Sequence, residues 1–202
     1  MKIAIIGASG RAGSEILKEL AARGHSLTAI ARHPERIAPL PGVTARQGDV
    51  RDQAGLAALL AGHEVVISAV MFLDSDVEVL LGAVRQAGVP RYLVVGGAGS
   101  LEVAPGLKLL DAPGFPEAYR AEASAGAAFL TRLRQETALD WTFLSPSADF
   151  FVGPRTAKFR LGGDQLLTGP EGSRISFADY AIAMADEVER PAHSRRRFTV
   201  GY

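Results

Sequence analysis

Gly7-Ala8-Ser9-Gly10-Arg11-Ala12-Gly13 stands directly behind a short apolar run, Ile3–Ile6, and directly ahead of a helical pattern with Ile16, Leu17, Leu20 and Ala21 on one side. Three glycines at that junction demand a particular backbone. The chain must turn sharply at the end of a strand, a ligand must approach the backbone without a Cβ in the way, and the helix must pack close to the strand it follows. Gly7 suits the turn, Gly10 the close approach and Gly13 the packing. The first turn of such a helix carries unpaired N–H groups and the positive end of the dipole, which favours an anion there. The spacing G-x-x-G-x-x-G is one residue away from the G-x-G-x-x-G dinucleotide fingerprint, and a glycine-rich connection with no ligand is the competing reading. The context favours the dinucleotide: a strand at the start of the chain, then a helix, then a second strand at Ser26–Ala31.

The alternation continues. Val43–Gln47 reads as a third strand, and Asp52 can cap a helix carrying Leu56, Leu59 and Leu60 that stops at Gly62. Glu64–Val70 is a fourth strand, Asp74–Ala87 a helix with Val77, Leu80, Leu81 and Val84 inward, and Arg91–Val95 a fifth strand. Gly96–Pro116 reads as a long Gly- and Pro-rich loop, of the length that is usually functional or mobile. An Ala-rich helix runs from Pro116 to about Thr137, and Trp141–Leu144 is a sixth strand cut by Pro146. Beyond Gly153, Lys158–Leu161 and Gln165–Thr168 flank Gly162-Gly163-Asp164 as a hairpin, Ser176 can cap a helix through Glu189, and Phe198–Val200 is a last strand. Arg195-Arg196-Arg197 would guard that strand as a charged sheet edge. The expected fold is α/β, a Rossmann-type doubly wound parallel sheet with a small C-terminal extension. One domain spans 1–202, with 1–150 as its core and 151–202 as a small substrate-side lobe of hairpin, helix and terminal strand.

Composition narrows the function classes. Lys plus Arg is 22 and Asp plus Glu is 22, so no net charge draws the chain to nucleic acid or an anionic membrane. There is no cysteine, which excludes disulfides, thiolate metal sites and a Cys nucleophile. His25, His33, His63 and His193 are scattered near turns without metal-ligand spacing. The N-terminal apolar run is too short for a signal peptide, and Val65–Phe72 is too short to span a bilayer as a helix. The expectation is a cytoplasmic protein whose partner is a small molecule, as a monomer or small homo-oligomer.

The end of the second strand bears on which dinucleotide is bound. NAD sites usually place Asp or Glu there for the ribose 2′-OH, whereas this chain reads Ala29-Ile30-Ala31-Arg32. Arg32 could grip a 2′-phosphate in bidentate fashion, with Arg11 as a second clamp, so NADP is favoured and NAD stays open. The plainer readings are a solvated charge for Arg32 and a first-turn helix residue for Arg11. Asp49-Val50 follows the third strand, where a carboxylate can border the adenine, and a turn or cap role for Asp49 has comparable weight. Ala69-Val70 would pass beside ribose and diphosphate at the switch point. Gly96 follows the fifth strand, and Ser145-Pro146 closes the sixth at the expected nicotinamide end.

These stretches resemble the short-chain dehydrogenase/reductase superfamily in its atypical single-domain branch, more narrowly the NAD(P)H-flavin reductase group related to biliverdin reductase B and NmrA-like proteins. The glycine loop carries the broad resemblance. Gly48-Asp49-Val50, Leu93–Ser100, Leu139–Pro146 and Arg196–Tyr202 carry the narrower one. The resemblance implies an NAD(P)H-dependent oxidoreductase. The superfamily's carbonyl reducers use Tyr-x-x-x-Lys and a Ser or Thr beyond the fifth strand. Here Tyr119 is followed four places on by Ala123, no lysine occurs between Lys108 and Lys158, and Gly96-Gly97-Ala98 stands where the hydroxyl would be. A hydride acceptor that needs no dedicated proton donor fits this departure: a flat conjugated molecule such as a flavin or linear tetrapyrrole. A sensor of NmrA-like type that binds NADP without turnover is the alternative. No residue stands out as catalytic.

Overall fold

In the computed structural model, which describes residues 1–202, β1 (Lys2–Ile6) lies inside the sheet with Ile3, Ala4, Ile5 and Ile6 all buried. Its side chains alternate between two cores, as a strand covered on both faces must. Ile3 and Ile5 join one apolar cluster with Ile16, Leu17 and Leu20 of α1 (Arg11–Ala22). Ala4 and Ile6 join the other, with Leu56 and Leu60 of α2 (Gln53–Leu60) and Leu80 and Val84 of α3 (Val77–Gln86). Helices on both faces therefore follow from the lack of a polar period in the strands.

The sheet runs β10-β12-β8-β5-β4-β1-β2-β3, where β2 is Ser26–Ala31, β3 Val43–Gln47, β4 Val65–Ser68, β5 Arg91–Val95, β8 Asp140–Ser145, β10 Arg160–Gly162 and β12 Arg196–Gly201. All neighbours pair in parallel except β10 with β12. The chain leaves β1 toward β2 and β3 and then crosses to β4 on the other side, so a crevice opens where β1 and β4 end. The fold is the doubly wound Rossmann-type α/β architecture.

Three expectations change. Residues 151–202 do not form a lobe. β12 inserts beside β8, with Arg196 opposite Thr142 and Thr199 opposite Ser145. α5 (Phe177–Glu189) lies against α1 and puts Tyr180 and Met184 into the core. The hairpin does not form either. β10 pairs with β12, Arg160 opposite Gly201, and Gln165 bridges Glu102 instead. A buried strand such as β12 needs partners on both edges, so the edge falls at β10. The arginine triplet then splits: Arg195 turns with φ 52°, Arg196 is exposed, and Arg197 is buried on Asp164.

The long loop is structured too. β6 (Glu102–Ala104) and β7 (Leu107–Lys108) form an antiparallel ribbon around Gly106, whose φ is +75°. A 3-10 turn at Leu109–Asp111 follows, and α4 (Glu117–Leu133) ends short of Thr137. α3 starts at Val77 because Phe72–Asp74 forms its own 3-10 turn, after which Asp76 caps the helix by accepting from the Glu78 N–H. Asp52 and Ser176 cap α2 and α5 as expected, accepting from the N–H groups of Gly55 and Asp179. Two three-residue strands, β9 (Asp149–Phe151) and β11 (Arg174–Ser176), pair in parallel. Three residues are too few to show a period.

Candidate functional site

The glycine loop is shaped by close backbone approach. Gly7 has φ +81°, and a Cβ on it would lie 2.4 Å from the Ala69 carbonyl oxygen. The N–H groups of Gly7 and Ala8 both donate to the Ile30 carbonyl, at 2.9 and 3.2 Å, which ties the loop to the end of β2. At Gly13 a Cβ would stand 2.2 Å from the Gly7 carbonyl oxygen, so only glycine lets α1 sit this close to β1. Gly10 is the N-cap of α1. No side chain caps it and no acidic side chain sits in the first turn. The first-turn N–H groups therefore offer donors and a partial positive charge to an anion.

A cleft of about 230 Å³ opens in front of this loop. It brings together Gly7, Ser9 and Gly10, then Arg32 beyond β2, Asp49 and Val50 beyond β3, and Ala69 and Val70 beyond β4. These residues are far apart in sequence and meet because each follows a parallel strand's C-terminal end. Asp49 also makes a turn, Oδ1 accepting from the Arg51 N–H at 2.9 Å. His33, Arg36, Met71 and Asp74 line the cleft as well. Sequence reasoning missed them; Arg36 could have been noticed as a second cation just past the Arg32 strand end.

Other expected residues lie elsewhere. Ala8 and Gly13 are buried behind the cleft wall, and Ala12 is half-buried in α1. Arg11 does not line the cleft with Arg32; its guanidinium sits 5.4 Å from the centre of the Phe177 ring. Ser145 is fully buried within the sheet rather than facing ligand space. Its hydroxyl lies 3.4 Å from Arg197 Nη1, and its carbonyl accepts from Thr199 Oγ1 at 2.9 Å. The inward pleat of the final β8 residue decides this.

Gly96 and Pro146 belong to a second, larger cavity of about 480 Å³ on the other side of the switch point. Met71 lines the first cavity and Phe72 the second, so the turn after β4 separates them. Phe72 packs on Phe129 and Phe143 with ring centres 5.2 and 6.1 Å apart. Its turn is pinned by Glu122 of α4, whose two oxygens accept from the N–H groups of Phe72 (2.7 Å) and Leu73 (3.0 Å). Phe150 forms another wall, its ring centre 4.0 Å from that of Phe177 and 4.7 Å from that of Tyr180. Gly96 admits the backbone at the floor, since a Cβ would lie 2.3 Å from Phe143 Cε1 and 2.7 Å from the Leu144 carbonyl oxygen.

The ionisable groups around this floor are held by structure. Arg197 is buried, which pulls its pKa down, and its bond to Asp164 works against that shift. The Tyr180 hydroxyl donates to the Leu144 carbonyl at 2.7 Å, and burial raises its pKa far above the ordinary phenol value. Tyr92 is likewise raised by burial, with its hydroxyl 2.8 Å from that of Ser68. Neither phenol is poised to give up a proton near neutral pH. Tyr119 lines the second cavity and is 67% exposed, with no lysine lining either cavity. Ala123, in the place a Tyr-x-x-x-Lys lysine would take, packs against Gly99. The Tyr-Lys pair is thus missing in space as well as in sequence.

A family model described as NAD(P)H-binding matches residues 7–188. The chain belongs to this NAD(P)H-binding family. The match begins at the first glycine of the loop, just after β1, and takes in every residue that lines the two cavities except Ile6 at the end of β1. YwnB of Bacillus subtilis, an uncharacterized protein, is 41% identical over 211 residues, covering 99% of this chain and 98% of the relative. A Bacteroides thetaiotaomicron structure described as a "putative epimerase" superposes with a TM-score of 0.93 at 41% identity, covering 100% of this chain and 96% of that one. A Streptococcus pneumoniae structure described as a "putative NADH-flavin reductase" has a TM-score of 0.86 at 36% identity, covering 100% and 99%. The structural neighbours of this NAD(P)H-binding protein lie in the atypical short-chain dehydrogenase/reductase and NADH-flavin reductase group. No helix of the structure is long and apolar enough to cross a membrane.

Proposed function

We propose that this protein is an NAD(P)H-dependent reductase, with NADPH favoured, that passes a hydride to a planar conjugated acceptor such as a flavin. The observation that carries the proposal is the pairing of two cavities at one switch point. One is polar and built on the uncapped helix end; the other is walled by Phe72, Phe150 and backbone, without a Tyr-Lys pair. The description of the Streptococcus pneumoniae neighbour points the same way.

The residues present fit a dinucleotide. Gly7 and Gly10 leave bare backbone at the cradle, and the first turn of α1 would take the diphosphate. Arg32, with Arg36 in the same lining, supplies the cationic end that suits a 2′-phosphate. Asp49 can accept from the adenine amino group with the carboxylate oxygen that its turn leaves free. The bound cofactor would supply the hydride. Gly96 and Pro146 would border its reactive end from the floor of the second cavity. The aromatic walls would align the acceptor and exclude water, so proximity does most of the catalytic work.

The test is oxidation of NADPH by purified protein with riboflavin or FMN, compared with Gly10→Glu. Turnover well above the variant's rate is expected. Equal rates would remove the reductase reading. Tight NADPH binding with no acceptor turned over would favour a non-catalytic sensor.

A further inference from the structure

The second cavity carries an inference about the acceptor's chemistry, and it rests on the reductase reading. Its volume of about 480 Å³ lies within the range of small-molecule sites, roughly 300–1,000 Å³. Its lining contains no Lys, Arg or His, and its single formally charged side chain is Glu122. That carboxylate is committed to the N–H groups of Phe72 and Leu73 and adds a negative charge to the wall.

The cations nearby are already engaged. Arg120 lies outside the lining over the ring of Phe115, 5.5 Å from its centre, where it pairs with Glu117 at 2.8 Å and donates to the Leu110 carbonyl at 2.8 Å. Arg197 lies behind Ser100, buried against Asp164. Arg11 lies over Phe177, beside the start of the dinucleotide cradle. An anionic group carried into this cavity would lose water, gain no cation and face Glu122. Aromatic rings and small side chains, by contrast, suit an uncharged π-system.

We propose that the acceptor is a planar conjugated molecule bearing no phosphate or carboxylate, namely an unphosphorylated isoalloxazine. FMN, FAD and carboxylated linear tetrapyrroles are disfavoured on the same ground. The reaction balances as NADPH plus acceptor plus a proton giving NADP⁺ plus the dihydro-acceptor. One C–H bond of the nicotinamide breaks, its hydride carries both electrons to the acceptor, and the remaining proton comes from water.

The test measures riboflavin and FMN binding to NADP⁺-saturated protein by quenching of flavin fluorescence. Riboflavin is expected to bind about tenfold tighter than FMN. FMN binding as tightly or tighter, or no binding of either, overturns the proposal. Tyr119→Arg adds a cation at an exposed position of the lining. It should reverse the order in favour of FMN, and an unchanged ratio would count against the proposal. Turnover is read separately: riboflavin bound but not reduced sinks the reductase reading and leaves the ligand class standing.

Discussion

The two cavities are made in different ways. The first is cut into the backbone of one local motif and completed by residues that follow parallel strand ends by one to six places. The second is assembled from the β5 and β8 ends, the 96–116 segment, α4 and the turn after β4. The first presents N–H groups and arginines, and the second presents rings and small side chains. A site that needs bare backbone writes its requirement into glycine spacing. A site that needs only apolar walls can draw them from anywhere in the chain.

The largest effect that would sharpen this contrast is Gly10→Glu. A Cβ at Gly10 would stand 3.3 Å from the Gly7 oxygen, a tight contact relieved by a shift of a few tenths of an ångström, and 3.8 Å from the Ala69 oxygen, and φ of −76° suits any residue, so the fold should survive while a carboxylate enters the proposed phosphate cradle. NADPH affinity should fall by about a hundredfold, read by calorimetry alongside an unchanged circular dichroism spectrum. Arg32→Ala should lower the NADPH-over-NADH preference by about tenfold, the worth of a charge-assisted hydrogen bond. Steady-state kinetics with both cofactors measures it, and an unchanged ratio would take Arg32 out of the cationic end. Phe150→Leu reaches the other cavity. Loss of a ring packed on Phe177 and Tyr180 should cut the acceptor's kcat/KM by about fivefold and leave the NADPH Kd in place. A matching loss of NADPH affinity would break the separation between the cavities.

The smallest expected effect lies away from both. Glu19 of α1 is held below the ordinary carboxyl pKa of 4.5, first by its hydrogen bond from Arg155 and also by Arg23, against burial. A depressed folded pKa gives stability that is complete above the unfolded value and is lost as pH falls through the folded one. Urea midpoints should therefore drop below pH 4.5 in the wild type. Glu19→Gln should be less stable at neutral pH and show a shallower drop. An identical pH profile in both would remove Glu19 from the acid response.

The contrast also explains what the sequence discloses. β2 and β5 fall at their expected bounds because apolar runs ended by Arg or Gly leave one register for a doubly covered strand, and the exposed edge strand β3 also falls at its expected bounds, ended by Gly48. The Asp52 and Ser176 caps are legible because side-chain capping is local. The place of β12 inside the sheet is not local. It depends on β10 covering its far edge and on Asp164 taking up Arg197, more than thirty residues apart in the chain. Read alone, Gly162-Gly163-Asp164 is a hairpin turn; in the fold it supplies that carboxylate. Ser145 is misread for a related reason, since a one-residue choice of pleat sends its hydroxyl to Arg197 and leaves Pro146 facing the cavity. Glu122 gives no sequence signal because its partners are backbone N–H groups fifty residues away.

The central claim is that the bare-backbone loop from Gly7 to Gly13 grips the diphosphate of a nicotinamide dinucleotide. Calorimetric titration of the full chain with NADPH and NADH, repeated on Gly10→Glu, tests it most directly. Saturable binding of NADPH at one site per chain, abolished in the variant, is the expected result. No heat and no thermal upshift with either cofactor, or equal affinity in the variant, would contradict it.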